Sequence, residues 1–256
     1  MSTEQGQRRS TWPAVSAYLG LSAAWIAMVM LAAHWQPGGT TGWLLRHVVP
    51  AALLLAVAWI IARRVAPDEP ATLLSLRRPT MPFMAIALLS AVPSLAVVLW
   101  HAIGEQWLLT PDAAVLSIKL AFNKGLLEEW LARGLLLDWF VLDGNSQKRA
   151  IGLSALMFGV MHMFQYLTPP FTAERLINGV VLVVLTTPMG ALYAWLTLRA
   201  RSLWPAVTLH FLSDLLILPQ KLATPNLMLI SFGAFGSLLL AALLLHLYLP
   251  RQRVEL

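Results

Sequence analysis

This 256-residue chain contains no cysteine. The absence excludes disulfide bonds, thiolate metal ligands and a cysteine nucleophile. Charge is also scarce, because Asp, Glu, Lys and Arg make up 12% of the residues, whereas soluble proteins carry about 25%. The chain is 58% hydrophobic, which is too apolar for one water-soluble core. We therefore expect an integral membrane protein with several spans.

Long apolar stretches predict an all-α polytopic membrane bundle. A span needs about 20 mostly apolar residues, and it must be helical because lipid offers its backbone no hydrogen-bond partners. We predict about eight transmembrane helices in a single integral membrane domain, residues 1–256. The expected ranges are 14–35, 44–62, 81–101, 111–141, 150–167, 176–198, 203–218 and 228–249.

The basic residues predict how these spans are oriented. If the N-terminus is cytoplasmic, 12 of the 18 Lys and Arg residues fall in cytoplasmic segments and three fall outside. Membrane proteins concentrate Lys and Arg in their cytoplasmic loops. We therefore expect both termini in the cytoplasm, most simply in a bacterial inner membrane. The same bias accounts for the net charge of +6 without a nucleic-acid partner.

The fourth predicted span is unusual because it is rich in charge. It carries Lys119, Lys124, Glu128, Glu129, Arg133 and Asp138. An ionised side chain at mid-membrane costs about 2.5–3.5 kcal/mol unless it is paired or hydrated. On an α-helix, Arg133 lies about 40° around the axis from Glu129 but about 140° from Glu128. We predict that Arg133 pairs with Glu129, and that Glu128 points elsewhere. Purely structural salt bridges are the alternative, although burying an ion pair is rarely a net gain.

Two further spans carry polar residues at helical spacing. The sequence FGVMH places Phe158 and His162 on one helix face, and HFLSD places His210 and Asp214 on another. At about 1.5 Å per residue, these groups and Glu128 lie roughly 10–20 Å from the cytoplasmic ends of their spans. Polar groups at a shared depth need water or a metal ion to satisfy them. We therefore expect a polar cavity that opens to the cytoplasm.

These motifs together resemble a known family. EEWLAR fits the motif EExxxR, FGVMH fits FxxxH, and HFLSD fits HxxxN-or-Asp. Their order on separate helices is similar to that of the CPBP intramembrane proteases. That family includes CAAX prenyl endopeptidases of the Ras-converting type and Abi-like proteins of bacteriocin processing or self-immunity. The resemblance covers about 111–218, which would be the catalytic core.

The resemblance implies an intramembrane endopeptidase that acts on a peptide or a membrane protein. By this resemblance, Glu128 would activate the attacking water together with His162. His210 and Asp214 would stabilise the oxyanion or hold the substrate carbonyl. Glu129 and Arg133 would form the structural pair.

Asp214 departs from the pattern of the prenyl-protein proteases, which have Asn at this position. An ionised carboxylate only accepts hydrogen bonds, so Asp214 would orient His210 or bind a metal ion. The ligand types of Glu128, His162, His210 and Asp214 also suit zinc. We favour a mechanism without a cofactor, and a zinc site formed by these four residues is the alternative.

Two other classes of function compete with a protease. Intramembrane carboxylates and histidines also form relays in proton- or ion-coupled transporters. Such transporters have inverted repeats and broken helices. The chain has no evident repeat, although Pro188 and Gly190 interrupt the sixth predicted span. A non-catalytic immunity or scaffold protein is the second competitor.

Overall fold

The computed structural model describes residues 12–35, 42, 48–68, 75–78, 81–104, 118, 121, 125–167, 171–223 and 227–248. Every regular element in these ranges is helical, and they contain no strand. The prediction of an all-α protein is therefore confirmed.

The helices follow the apolar stretches of the sequence. They are α1 (Trp12–Trp35), α2 (Val49–Val65), α3 (Met81–Ser90), α4 (Val92–Gly104), a π-helical segment (Trp130–Leu137), α5 (Asp138–Leu142), α6 (Gln147–Met163), a 3-10 turn (Phe164–Tyr166), α7 (Ala173–Ala200), α8 (Trp204–Ala223) and α9 (Leu227–Tyr248). Helix α8, which corresponds to the seventh predicted stretch, 203–218, has 20 residues and is therefore longer than predicted.

The third predicted span, 81–101, is divided at Ala91 into α3 and α4. Pro93 has no N–H and its ring clashes with the carbonyl of the preceding turn. At the break, the Ala91 N–H donates to the Leu88 carbonyl, three residues back rather than the four of an α-helix, with an N···O distance of 3.2 Å. A proline near the start of α4 therefore accounts for the break.

The described part of the chain includes one helix that is long and apolar enough to cross a membrane, α7 with 28 residues. Shorter apolar helical stretches lie at Trp12–Met28, Met81–Val97 and Phe235–Tyr248. The eight-span arrangement stays a prediction.

The chain forms two compact units. The first comprises Met1–Arg77 and Leu127–Trp195, and the second comprises Arg78–Leu126 and Leu196–Leu256. In the first unit, the π-helical segment packs against α1, α2, α5 and α6. In the second unit, α9 packs against α3, α4 and α8.

The π-helical segment corrects one assumption about the fourth predicted span. Residues 125–142 are helical without interruption, but Trp130–Leu137 have π-type rather than α-type geometry. The angles expected around Arg133 rested on a regular α-helix. Short π-helical insertions are frequent at functional sites. Here the insertion follows directly after the two glutamates, and seven of its eight residues are buried.

A tight turn places Glu128 and His162 level with each other. Gly144 in this turn has a φ of 78°, a left-handed conformation that glycine adopts without strain. The Ser146 side chain then accepts a hydrogen bond from the Arg149 N–H and caps α6. Glu128 lies 14 residues before the end of α5, and His162 lies 15 residues after the start of α6. Two helices folded back at this turn bring these positions to the same height.

Candidate active site

Glu128 and His162 form a close pair in the first unit. The Glu128 Oε2 atom lies 3.5 Å from His162 Nε2. The Glu128 side chain is 6% exposed and that of His162 is 18% exposed. The pair is therefore screened from bulk solvent but is not sealed.

The opposite nitrogen of His162 is held by its own helix. His162 Nδ1 lies 2.8 Å from the Phe158 carbonyl oxygen. A carbonyl only accepts hydrogen bonds, so the proton of this bond is on Nδ1. The bond thereby leaves Nε2 as the nitrogen that faces Glu128, and this nitrogen is the one that can exchange a proton with it.

Glu129 has a different partner from Glu128. Its Oε2 atom lies 3.2 Å from Arg133 Nε, and both side chains are fully buried. The Arg133 Nη2 atom also donates to the Gly190 carbonyl oxygen at 3.0 Å. The ion pair expected from the i,i+4 spacing is present in the structure.

Phe158 joins these two pairs. The Arg133 guanidinium carbon lies 4.1 Å from the centre of the Phe158 ring, a distance typical of a cation–π contact. The Phe158 and His162 rings pack edge to face with their centres 4.6 Å apart. The contacts therefore run from Glu129 through Arg133, Phe158 and His162 to Glu128. We call these five residues the Glu128 cluster.

The backbone around the Glu128 cluster is held by close helix packing. The Ser154 hydroxyl on α6 donates to the Ala132 carbonyl of the π-helical segment at 2.8 Å. On α7, a Cβ atom added at Gly190 would lie 3.1 Å from both Ala155 Cα and Phe158 Cδ1. Glycine at this position thus lets α7 approach α6 directly behind the Phe158 ring.

Tyr18 on α1 is a residue of this region that our sequence analysis missed. Its side chain is fully buried, and its hydroxyl donates to Met161 Sδ at 3.4 Å. The hydroxyl also interacts electrostatically with Arg133, Glu128 and Glu129. The only signal in the sequence is weak: Tyr18 and Ser22 place two polar groups on one face of an apolar stretch.

Asp138, the last acid of the fourth predicted span, anchors a distant segment. Asp138 Oδ2 accepts a hydrogen bond from the Ser75 hydroxyl at 2.5 Å. Ser75 has a φ of 49°, which is uncommon for a residue with a side chain. The bond ties the start of the basic segment 75–78 to the end of the helix that carries Glu128.

His210 and Asp214 belong to the second unit. His210 Nε2 lies 3.9 Å from Asp214 Oδ2, and the two side chains are 6% and 25% exposed. This distance exceeds that of a hydrogen bond, so the contact is electrostatic. In the same unit, a Cβ atom at Gly125 would lie 3.0 Å from the Phe211 backbone nitrogen. The glycine that precedes the two glutamates therefore packs directly beside the residue that follows His210.

The motif-bearing region matches one known protein family. A family model described as Rce1-like, type II CAAX prenyl endopeptidase Rce1-like, matches residues 110–216. The motif-bearing part of the chain is therefore similar to the CAAX proteases of the CPBP family. The resemblance inferred from the three motifs is thus confirmed for residues 110–216. No curated protein and no solved structure matches the chain.

Within this CAAX-protease-like region, the structure pairs Glu128 with His162 in one unit and His210 with Asp214 in the other. Of the charged residues expected in the fourth span, Lys119 and Lys124 lie outside the described residues. The roles assigned to the site residues stay predictions.

The zinc alternative needs ligands from both units. Among the residues with described positions, no three His, Asp or Glu side chains form a group that could hold a metal ion. Catalytic zinc sites generally have three protein ligands, and each unit contributes only two of the four candidates. Neither pair would hold zinc by itself, and the four-residue site stays a prediction.

Proposed function

We propose that this protein is a CAAX-protease-like intramembrane endopeptidase in which Glu128 activates water for attack on a peptide bond. The observation that carries the proposal is that the two adjacent glutamates have different partners. Glu129 is occupied by Arg133 at 3.2 Å, whereas Glu128 lies beside a histidine at 3.5 Å. A carboxylate next to a histidine of fixed orientation suits general-base catalysis.

The proposed reaction begins with a water molecule beside Glu128 Oε2 and His162 Nε2. Glu128 takes a proton from this water as the water oxygen bonds to the scissile carbonyl carbon. The carbonyl oxygen becomes an oxyanion, which His210 stabilises by donating a hydrogen bond while Asp214 holds its ring. The C–N bond then breaks, and the proton held by Glu128 passes to the leaving amine nitrogen. One water molecule is consumed, giving a carboxylic acid and an amine.

We propose that this chemistry needs no metal cofactor, since the residues supply both a base and an oxyanion donor. One oxyanion donor contributes about 10²–10³ in rate, and a positioned general base contributes about 10²–10⁴. The zinc site of Glu128, His162, His210 and Asp214 remains the competing proposal.

We propose that the reaction takes place in an eight-span bundle with a cytoplasmic cavity and both termini in the cytoplasm of a bacterium. The exposed residues support a lipid environment, because large apolar side chains project from many helices. Leu31, Trp100 and Leu239 are 77%, 76% and 70% exposed. Apolar exposure on this scale marks surfaces that contact other apolar material. The substrate would be a peptide or the end of a membrane protein that enters from the cytoplasmic side.

The test is cleavage of a panel of prenylated and transmembrane peptides by the purified protein in detergent or liposomes. We expect the wild type to cleave at least one peptide and Glu128→Gln to cleave none. Glu174→Gln is the matched control, because Glu174 is exposed at the start of α7 and its substitution should leave the rate unchanged. Cleavage that persists in Glu128→Gln would disprove the role of Glu128. A folded wild type that cleaves no peptide would favour a scaffold, an immunity protein or a transporter.

A further inference from the structure

We infer that Phe158 is a positioning residue that couples the fixed guanidinium of Arg133 to the ring of His162. The inference rests on the proposed function, because it explains how His162 is aimed at Glu128. If it is correct, position 158 needs the face of an aromatic ring, and a side chain that only fills the same volume is not sufficient.

Arg133 provides a rigid starting point for this coupling. Its side chain has no exposed surface. Glu129 holds Nε at 3.2 Å, and the Gly190 carbonyl holds Nη2 at 3.0 Å. Contacts to a carboxylate on its own helix and to a carbonyl on α7 restrict rotation of the planar guanidinium.

The Phe158 ring is confined on several sides. The Arg133 guanidinium lies over its face at 4.1 Å, and the Tyr193 ring packs against it edge to face with centres 6.5 Å apart. Gly190 has no side chain, yet even a Cβ atom there would lie 3.1 Å from Phe158 Cδ1. The ring therefore has little freedom to tilt or slide.

His162 depends on Phe158 through two separate contacts. The Phe158 carbonyl holds Nδ1 at 2.8 Å, which sets the tautomer. The Phe158 ring meets the imidazole at 4.6 Å and an interplanar angle of 63°, which sets the ring plane. Together these contacts direct Nε2 toward Glu128 Oε2. A substitution that keeps the carbonyl but changes the ring should therefore disturb the aim of His162 and preserve the nearby backbone.

Fluorinated phenylalanines at position 158 distinguish the effect of the negative ring face on kcat from the effect of the ring volume. Successive fluorine atoms weaken the negative face that attracts a cation while nearly preserving the shape of the ring. We expect kcat to fall stepwise, on the order of tenfold for a trifluorinated ring, with KM unchanged because the ring is 2% exposed. The same fluorinated residues at Phe140, which is fully buried in the same unit, should leave kcat unchanged.

A second measurement does not depend on activity. In protein labelled with ¹⁵N-histidine, the His162 signals, assigned by their loss in His162→Gln, should show the Nδ1-protonated form at neutral or higher pH. In Phe158→Leu, which keeps the carbonyl but removes the ring, we expect the imidazole to tilt away from the carbonyl and lose the Nδ1 hydrogen bond, which would give a mixture of tautomers. A spectrum identical to that of the wild type would overturn the inference whether or not a substrate is known.

The outcomes distinguish this inference from the proposed function. If Glu128→Gln is inactive while fluorination at position 158 leaves kcat at the wild-type value, Phe158 only fills space and the inference is wrong. If Glu128→Gln stays active, the proposed function itself fails. Stepwise loss of kcat at position 158 but not at position 140, with altered His162 signals in Phe158→Leu, would support both.

Discussion

Glu128 and Glu129 are neighbours in the chain, yet the fold gives them different surroundings. Glu129 lies against the buried Arg133 guanidinium, and Glu128 lies against His162. Adjacent positions on a helix point about 100° apart, so the two carboxylates can contact different partners.

This difference predicts opposite effects for the same substitution. Glu128→Gln should abolish peptide cleavage and leave the thermal unfolding temperature nearly unchanged. Glu129→Gln should lower the free energy of unfolding by about 3–5 kcal/mol, because it leaves Arg133 buried without its charge partner. Thermal unfolding in detergent, measured beside activity, compares the two variants. A stable but inactive Glu129→Gln together with an active Glu128→Gln would reverse the assignment.

Asp214 distinguishes the two proposed mechanisms. Without a metal, Asp214 only orients His210, so Asp214→Asn keeps the shape of the side chain and most of the activity. With zinc, the neutral amide is a poorer ligand, and activity and bound metal should fall together, with partial rescue by added zinc. We expect the first result. Metal analysis of the purified wild type and variant decides, and stoichiometric zinc that is lost together with activity would refute the metal-free mechanism.

At the scale of helices, α6 and α7 approach each other closely at Gly190. The glycine carbonyl accepts the bond from Arg133, and the missing side chain leaves room for Ala155 and Phe158. Small residues commonly permit such close packing between membrane helices. The position of His162 on α6 thus depends on the absence of a side chain on α7.

Gly190→Ala should therefore destabilise the protein. The added Cβ would lie 3.1 Å from the Ala155 backbone, so the helices must separate, at a cost of about 1–3 kcal/mol. Gly152→Ala on α6 is the control, because a Cβ there meets no atom within 4 Å. In that variant the better helix propensity of alanine should raise stability by up to about 1 kcal/mol. Equal unfolding temperatures for both variants would contradict the packing described.

At the scale of the whole molecule, the distribution of charge predicts the topology. Eight spans with cytoplasmic termini are predicted from the excess of Lys and Arg in alternate connecting segments. Alkaline phosphatase fused after Arg253 should be inactive, because the enzyme folds only in the periplasm, whereas fusion near Glu105 should give high activity. The reverse pattern would contradict both the predicted orientation and the predicted cytoplasmic depth of the polar residues.

The sequence by itself determined the helical class, the approximate helix ranges and the resemblance of the motif-bearing region to the CAAX proteases. Apolar stretches long enough for a bilayer must form helices to satisfy their backbone, and the three motifs retain their residue types and spacing. The ion pair of Glu129 and Arg133 was also predictable, because four residues span one helical turn.

Only the tertiary structure decided the remaining features. Three of these features have no clear pattern in the sequence. They are the π-helical geometry of Trp130–Leu137, the burial of Tyr18 beside the glutamates, and the placement of Phe158 between Arg133 and His162. These features depend on contacts between helices that are distant in the chain. Such contacts follow from side-chain shape and close packing, whereas periodicity and composition report only on each helix alone.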